Sequence, residues 1–253
     1  MSLHLFQKKI KTEDKTYHLL DDTMPFEVSE AYKAARTNLL FLLTNVEKKQ
    51  IVFTGWQEHD GKSTSCVNMA ISFAQLGKKV LLVDADLRKP ILHRVFHTTQ
   101  KPGLSEALCG SFSQKCIRKT KYENLYMLPA GTIPPNPSEL LASVAMDEIL
   151  QLLSQEFDYI FLDTPPLSMV TDAAVLSTKV GGAVIIIRAY KTTRQSVLSS
   201  KQTIENVGGK VFGFLLNDAD SKYMTSAKYY SYGRYGHQSS SSKISQREAN
   251  QGD

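Results

Sequence analysis

Short, almost wholly apolar segments recur along this chain, and they limit its fold more than any other feature. Six stand out: Gln50-Ile-Val-Phe-Thr54, Lys79-Val-Leu-Leu-Val-Asp84, Leu125-Tyr-Met-Leu-Pro129, Asp158-Tyr-Ile-Phe-Leu-Asp163, 183–188 and 210–217. Strands that lose the apolar–polar alternation are buried on both faces, as in a parallel sheet covered by helices. Stretches of helical periodicity lie between most of them. Residues 62–77 place Val67, Ala70, Ile71 and Phe73 or Ala74 on one face and stop at Gly77. Residues 137–155 open with a proline, which a helix start tolerates. Further helical stretches fall near 169–177 and 192–206, and an earlier one, 27–45, lines up Tyr32, Ala35, Leu39, Leu42 and Leu43. The pattern predicts an α/β fold, a mainly parallel sheet with helices on both faces. Ligands of such sheets bind at the carboxyl ends of the strands, so chemistry is sought there.

The rest of the chain frames this block. Residues 1–26 are polar and aperiodic and read as an N-terminal extension; 27–217 form the domain; 218–253 read as a flexible tail rich in Ser, Tyr, Gly and Lys. At 253 residues the chain can bury one substantial core. A formal charge of +5 fits an anionic ligand, an acidic lipid surface or an ordinary solvated surface, and there is no basic stripe of the kind a nucleic-acid binder carries. No apolar run approaches the roughly 20 residues of a membrane helix, and the first residues lack the apolar core of a secretory leader. Cys66, Cys109 and Cys116 have no metal-ligand spacing and read as free thiols. The expected location is the cytoplasm, with any membrane association supplied by a partner.

Three constellations sit where chemistry is expected. Gly61-Lys62-Ser63-Thr64 follows a strand and opens a helix, the setting of a phosphate-binding loop. N–H groups at the helix start point at phosphates, and the helix dipole favours negative charge there. Lys62 would reach the β and γ phosphates, and the Ser63 hydroxyl would ligate Mg2+. The loop is imperfect: Trp56 stands where the first glycine belongs, and His59 and Asp60 replace small residues. A strand–turn–helix with an incidental Gly-Lys-Ser-Thr is the alternative. Next, Asp84 and Asp86 end the second strand and share one side of an extended chain. Finally, Asp163-Thr-Pro-Pro follows an apolar strand, where a carboxylate can hold Mg2+. A turn or helix cap is the alternative for each Asp alone; the three constellations in this order argue for a nucleotide site.

The segment Asp84-x-Asp86-x-Arg88 after a phosphate loop resembles the bacterial tyrosine kinases of capsule and exopolysaccharide synthesis, in their single-domain cytoplasmic form. They have a P-loop NTPase-like fold and are related to the septum-site and partition ATPases. Those cousins carry a lysine five residues before the invariant one, where this chain has Gln57. Glu30, Lys33 and Arg36 fall on a helix similar to the family's E-x-x-R-x-x-R, which packs subunits into rings, with lysine in place of its first arginine. Pro134-Pro-Asn136-Pro137-Ser-Glu139-Leu-Leu resembles another family segment, and Asn217 sits where relatives contact adenine. Of 11 tyrosines, Tyr223, Tyr229, Tyr230, Tyr232 and Tyr235 cluster in the tail, where the resemblance implies autophosphorylation sites.

The resemblance thus implies a Mg2+- and ATP-dependent protein-tyrosine kinase. Gly61, Lys62, Ser63, Thr64 and Asn217 would bind nucleotide, and Ser63, Asp86 and Asp163 would surround Mg2+. Lys62 would neutralise the transferred phosphoryl group. Asp84, or next Asp86, would accept the tyrosine proton, unless both serve to orient metal and substrate. It further implies a homo-oligomeric ring built through Glu30, Lys33 and Arg36, with tails entering neighbouring sites. The partners it implies are a transmembrane adaptor that recruits the chain to the inner face of the plasma membrane as a polysaccharide co-polymerase, and a phosphotyrosine phosphatase. A deviant phosphate-loop ATPase, or a non-catalytic scaffold of the same assembly machinery, is the competing reading.

Overall fold

A computed structural model describes residues 17–21 and 23–219. The expected tail tyrosines, Tyr223, Tyr229, Tyr230, Tyr232 and Tyr235, lie outside the described residues, as does most of the expected N-terminal extension.

Seven strands form one sheet: β1 (Gln50–Gly55), β2 (Val80–Asp84), β3 (Arg118–Lys119), β4 (Leu125–Leu128), β5 (Tyr159–Asp163), β6 (Gly182–Arg188) and β7 (Val211–Asn217). Their order is β3-β4-β2-β5-β1-β6-β7, and every pairing is parallel except β3 with β4. The six expected strands are all present. β3 has only two residues, and its antiparallel pairing closes that edge of the sheet.

Helices cover both faces, as the unbroken apolar strands demand. α1 (Phe26–Leu43), α2 (Lys62–Ala74) and α3 (Leu92–Val95) pack on one face, over Ile51, Phe53, Leu82 and Phe161. The short α4 (Leu104–Glu106) and the longer α5 (Pro137–Ala142), α6 (Val144–Ser154), α7 (Asp172–Ser177) and α8 (Arg194–Asn206) serve the other, over Val52, Leu81, Val83, Ile160 and Leu162. Phe73 on α2 meets Phe161 edge-on at 5.1 Å between ring centres, so the helix that begins at Lys62 is fixed to the sheet centre. An edge-to-face pair adds about 1 kcal/mol to the area that each ring buries.

Two helical expectations change. The single helix over 137–155 is two, because Ser143 adopts an extended conformation (ψ 159°) between α5 and α6. On α1, Leu39 and Leu43 are buried while Leu42 is 49% exposed. The helix is buried along a narrower stripe than five apolar positions suggested. Among the described residues, no helix is long and apolar enough to cross a membrane.

The sheet's period of two positions the site. Val80 and Leu82 on β2, and Tyr159 and Phe161 on β5, face α1 and α2. Asp84 and Asp163 continue those rows and are direct partners across the two strands. Two carboxylates therefore stand side by side at the carboxyl end of the sheet, on the side where α2 begins.

Candidate active site

Between β1 and α2 the chain makes a tight loop, and its backbone explains which residues it tolerates. Gly61 caps α2 at φ +88°, and a Cβ there would come within 2.0 Å of Asn217 Nδ2. Only glycine satisfies both conditions. His59 also has a positive φ, 65°, which costs a side chain about 1–2 kcal/mol. Its imidazole is exposed, and its carbonyl accepts from Arg188 Nη1 at 3.2 Å. His59→Gly should keep that bond and stabilise the chain by up to about 1 kcal/mol, part of the relieved strain being lost to backbone entropy. A thermal melt of the variant checks this; a lower melting temperature would contradict it.

Asp60 does not confront the phosphate position with a free charge. It is fully buried, and its carboxylate accepts from Gln57 N at 3.0 Å and from Thr192 Oγ1 at 3.5 Å. Asn217 Nδ2 donates to the Asp60 carbonyl at 3.0 Å. The end of β6 and the turn after it, with the end of β7, thus brace the loop through Arg188, Thr192 and Asn217. Sequence reasoning found only Asn217; the signal for Arg188 was a charge ending an apolar strand.

Lys62 is 92% buried, and its Nζ donates to Gln57 O at 2.9 Å. Burial lowers its pKa, opposed by the charges of Asp163, Asp60, Asp86 and Glu58. A cation held on one neutral carbonyl among carboxylates is poised to exchange that partner for an anion.

The expected metal and base residues converge. The Ser63 side chain stands near enough to the Asp163 carboxylate to lower its proton affinity, and Asp84 and Asp163 are register partners. Burial raises the Asp163 pKa to about 7, and the charge of Asp86 adds to the rise; the Ser63 hydroxyl and Lys62 oppose it. Asp84 is likewise pushed well above the carboxylate range, first by burial, then by Asp163. Asp84 Oδ2 accepts from Ile91 N at 3.1 Å and Leu92 N at 2.9 Å, at the start of α3. One Asp84 oxygen therefore performs the capping that the alternative reading assigned to it. Asp86 is half-buried, and its Oδ1 accepts from the N–H groups of Arg88 and Lys89.

What this leaves is diagnostic. Asp84 Oδ1 and Asp163 Oδ1 are buried with no hydrogen-bond partner. Unsatisfied buried carboxylate oxygens are costly, and the raised proton affinity is that cost expressed as a pKa. A bound cation would remove it. Among the described residues no group of three or more His, Cys, Asp or Glu could hold a metal by itself. Mg2+ is commonly held by one or two protein oxygens, water and substrate phosphates. A groove of about 350 Å³ at the amino ends of the strands, lined by Lys49, Lys79, Glu156 and Asp158 among others, has no comparable convergence of groups.

Glu30, Lys33 and Arg36 lie on α1, away from this cluster. Lys33 pairs with Glu30 at 2.7 Å within the helix, and Arg36 Nη1 donates to Ser72 O on α2 at 2.7 Å.

Residues 49–211 match the AAA domain family, from the start of β1 to the start of β7. The tyrosine-protein kinase YwqD of Bacillus subtilis is 35% identical over 209 residues, 82% of this chain and 86% of YwqD. The chain belongs to the bacterial tyrosine kinases. Solved structures agree. The kinase domain of the Escherichia coli tyrosine kinase ETK superposes on this kinase with a TM-score of 0.73 at 31% identity, covering 86% of this chain and 80% of that one. The chimerical protein CapA2B2 gives 0.73 at 35% identity, covering 78% and 86%. The kinase thus has the P-loop NTPase-like fold that its strand pattern and phosphate loop implied.

Proposed function

We propose that the kinase transfers the γ-phosphoryl group of Mg-ATP to tyrosines of its own C-terminal tail, Tyr223, Tyr229, Tyr230, Tyr232 and Tyr235, supplied by a neighbouring subunit. The observation that carries this reading is the union of Lys62, Ser63, Asp84, Asp86 and Asp163 at one end of the sheet, with two orphaned carboxylate oxygens.

Gly61, Lys62, Ser63 and Thr64 hold the phosphates with loop and helix N–H groups, and Asn217 flanks the nucleotide. Ser63, Asp163 and Asp86 would hold Mg2+, which when bound neutralises charge on the phosphates. Lys62 exchanges Gln57 O for a phosphate oxygen and meets the charge that gathers on the transferred group. A tyrosine hydroxyl, with an ordinary pKa near 10, gives its proton to a carboxylate as the new bond forms. Asp84 suits that role through its raised proton affinity and its unpartnered Oδ1. Asp86 is the second candidate because it is only half-buried.

In this reading the tail comes from another subunit in a ring organised by α1 through Glu30, Lys33 and Arg36. A transmembrane adaptor brings the kinase from the cytoplasm to the inner face of the plasma membrane, and a phosphotyrosine phosphatase resets it. Cycling between the phosphate-free and phosphorylated states controls polymerisation and export of a capsular or extracellular polysaccharide. Several phosphates per tail, each adding about −1.5 to −2 charges, repel one another and loosen the ring.

The test is to incubate the kinase with Mg-ATP, with and without an adaptor-derived cytoplasmic peptide, and map phosphotyrosine by mass spectrometry. Phosphate at positions 223–235 supports the reading. Phosphate confined to tyrosines of the folded domain would overturn it.

A further inference from the structure

Arg88, the last residue of the Asp84-x-Asp86-x-Arg88 segment, makes the most elaborate side-chain contact near the site, though no nucleotide role has been given to it. Its guanidinium grips both oxygens of Asp172: Nε to Oδ2 at 2.9 Å and Nη2 to Oδ1 at 3.1 Å. Nη2 also donates to Ser138 Oγ at 2.9 Å, and Ser138 Oγ in turn donates to Asp172 Oδ1 at 2.5 Å. Asp172 is fully buried at the start of α7, and Ser138 lies in the first turn of α5. The cluster therefore ties together the connections that follow β2, β4 and β5.

Its placement relative to Asp86 gives it meaning. The backbone N–H groups of Arg88 and Lys89 hold Asp86 Oδ1 at 3.2 and 2.9 Å. The orientation of the Asp86 carboxylate is thus set by the backbone that the guanidinium anchors. The neighbouring Lys89 reaches the opposite way, to Glu58 in the phosphate loop at 2.6 Å, but both partners are well exposed. Such a pair contributes little. A planar fork on a carboxylate has a geometry that lysine cannot reproduce.

We propose that Arg88 is a positioning residue: clamped to Asp172 and Ser138, it fixes the 86–89 turn so that Asp86 faces the metal and phosphates beside Asp163. The inference rests on the role given to Asp86 above. It says that Arg88 acts through Asp86 and does not touch the transferred phosphate.

The experiment is a double-mutant cycle on tyrosine phosphorylation, with Arg88→Lys, Asp172→Asn, Ser138→Ala and the pairs that contain Arg88→Lys. Mg2+ titrations, ATP titrations and thermal melts accompany each chain. Arg88→Lys should lower kcat about 10-fold, leave the KM for ATP within about 3-fold, and raise the Mg2+ concentration for half-maximal rate. The pair Arg88→Lys with Asp172→Asn should be no slower than the worse single variant, because residues of one unit are not additive. Full additivity would overturn the inference and make Arg88 a direct phosphate contact. An unchanged Mg2+ requirement in Arg88→Lys would overturn it as well. Should Asp172→Asn fail to fold, the same comparison is read from Ser138→Ala, which removes a single hydroxyl from a half-buried position. Failure of the parent chain to phosphorylate tyrosine would instead remove the reading on which the inference stands.

Discussion

Lys62→Met should lower tyrosine phosphorylation by about 10²–10³-fold, the usual cost of removing one preorganised charge aimed at the transition state. The fold should be indifferent to the change. Lys62 is buried, carries a pKa depressed by that burial, and has one hydrogen bond to show for it, to Gln57 O. Methionine matches its unbranched length without a charge to desolvate, so stability should shift by no more than about 1 kcal/mol. Nucleotide binding should weaken far less than turnover, because the loop and helix N–H groups remain. A Lys62→Met chain that unfolds, or that phosphorylates at the parent rate, would remove Lys62 from the chemistry.

Asp163→Asn should separate activity from stability in opposite directions. Activity should fall by a factor similar to that of Lys62→Met, because the position flanks Ser63 and the proposed metal. Stability at neutral pH should rise. The ordinary carboxyl pKa is 3.8, and in the folded chain burial raises that of Asp163 to about 7. Between those values the folded state holds a proton that the unfolded chain has released. Stability therefore falls as pH rises through that window and levels off above about 7. The gap of about 3 units corresponds to at most about 4 kcal/mol. A neutral amide in place of this carboxylate carries no such penalty, so the variant should match the parent near pH 4 and exceed it by a few kcal/mol at pH 8. Some slope should persist, because Asp84 is shifted in the same direction. Denaturant melts of both chains at pH 4, 6 and 8 check this. A variant that is less stable than the parent at pH 8 would mean that Asp163 is already satisfied in the folded chain.

Much of this site was legible in the sequence because its residues sit at the ends of strands that announce themselves. Unbroken apolar runs marked β1, β2, β4, β5, β6 and β7, and Asp84 and Asp163 were visible as the residues that end two of them. What was not legible depended on contacts between distant residues. Nothing around Asp172 marks it as a fully buried carboxylate, since its partners Arg88 and Ser138 lie 84 and 34 residues earlier. The odd residues of the phosphate loop, His59 and Asp60, looked like defects. Asp60 instead receives Gln57 N and Thr192, which the chain brings from 132 residues away. The break at Ser143 was hidden because serine is compatible with a helix interior and nothing else there signals a stop. Ranking Asp84 above Asp86 as proton acceptor used position alone. Burial and the α3 cap now give each carboxylate a distinct argument, proton affinity for one and access for the other.

The most direct measurement mixes two chains: Lys62→Met labelled with heavy isotopes, and the parent chain unlabelled, with Mg-ATP. Mass spectrometry then assigns phosphate to heavy or light peptides spanning 223–235. Phosphate on the heavy tail, absent when Lys62→Met is incubated alone, is the predicted result. It would establish that one subunit's Lys62 and carboxylates act on another's tyrosines. Phosphate on light tails only would make the transfer intramolecular, and phosphate on neither tail would contradict the account at its centre.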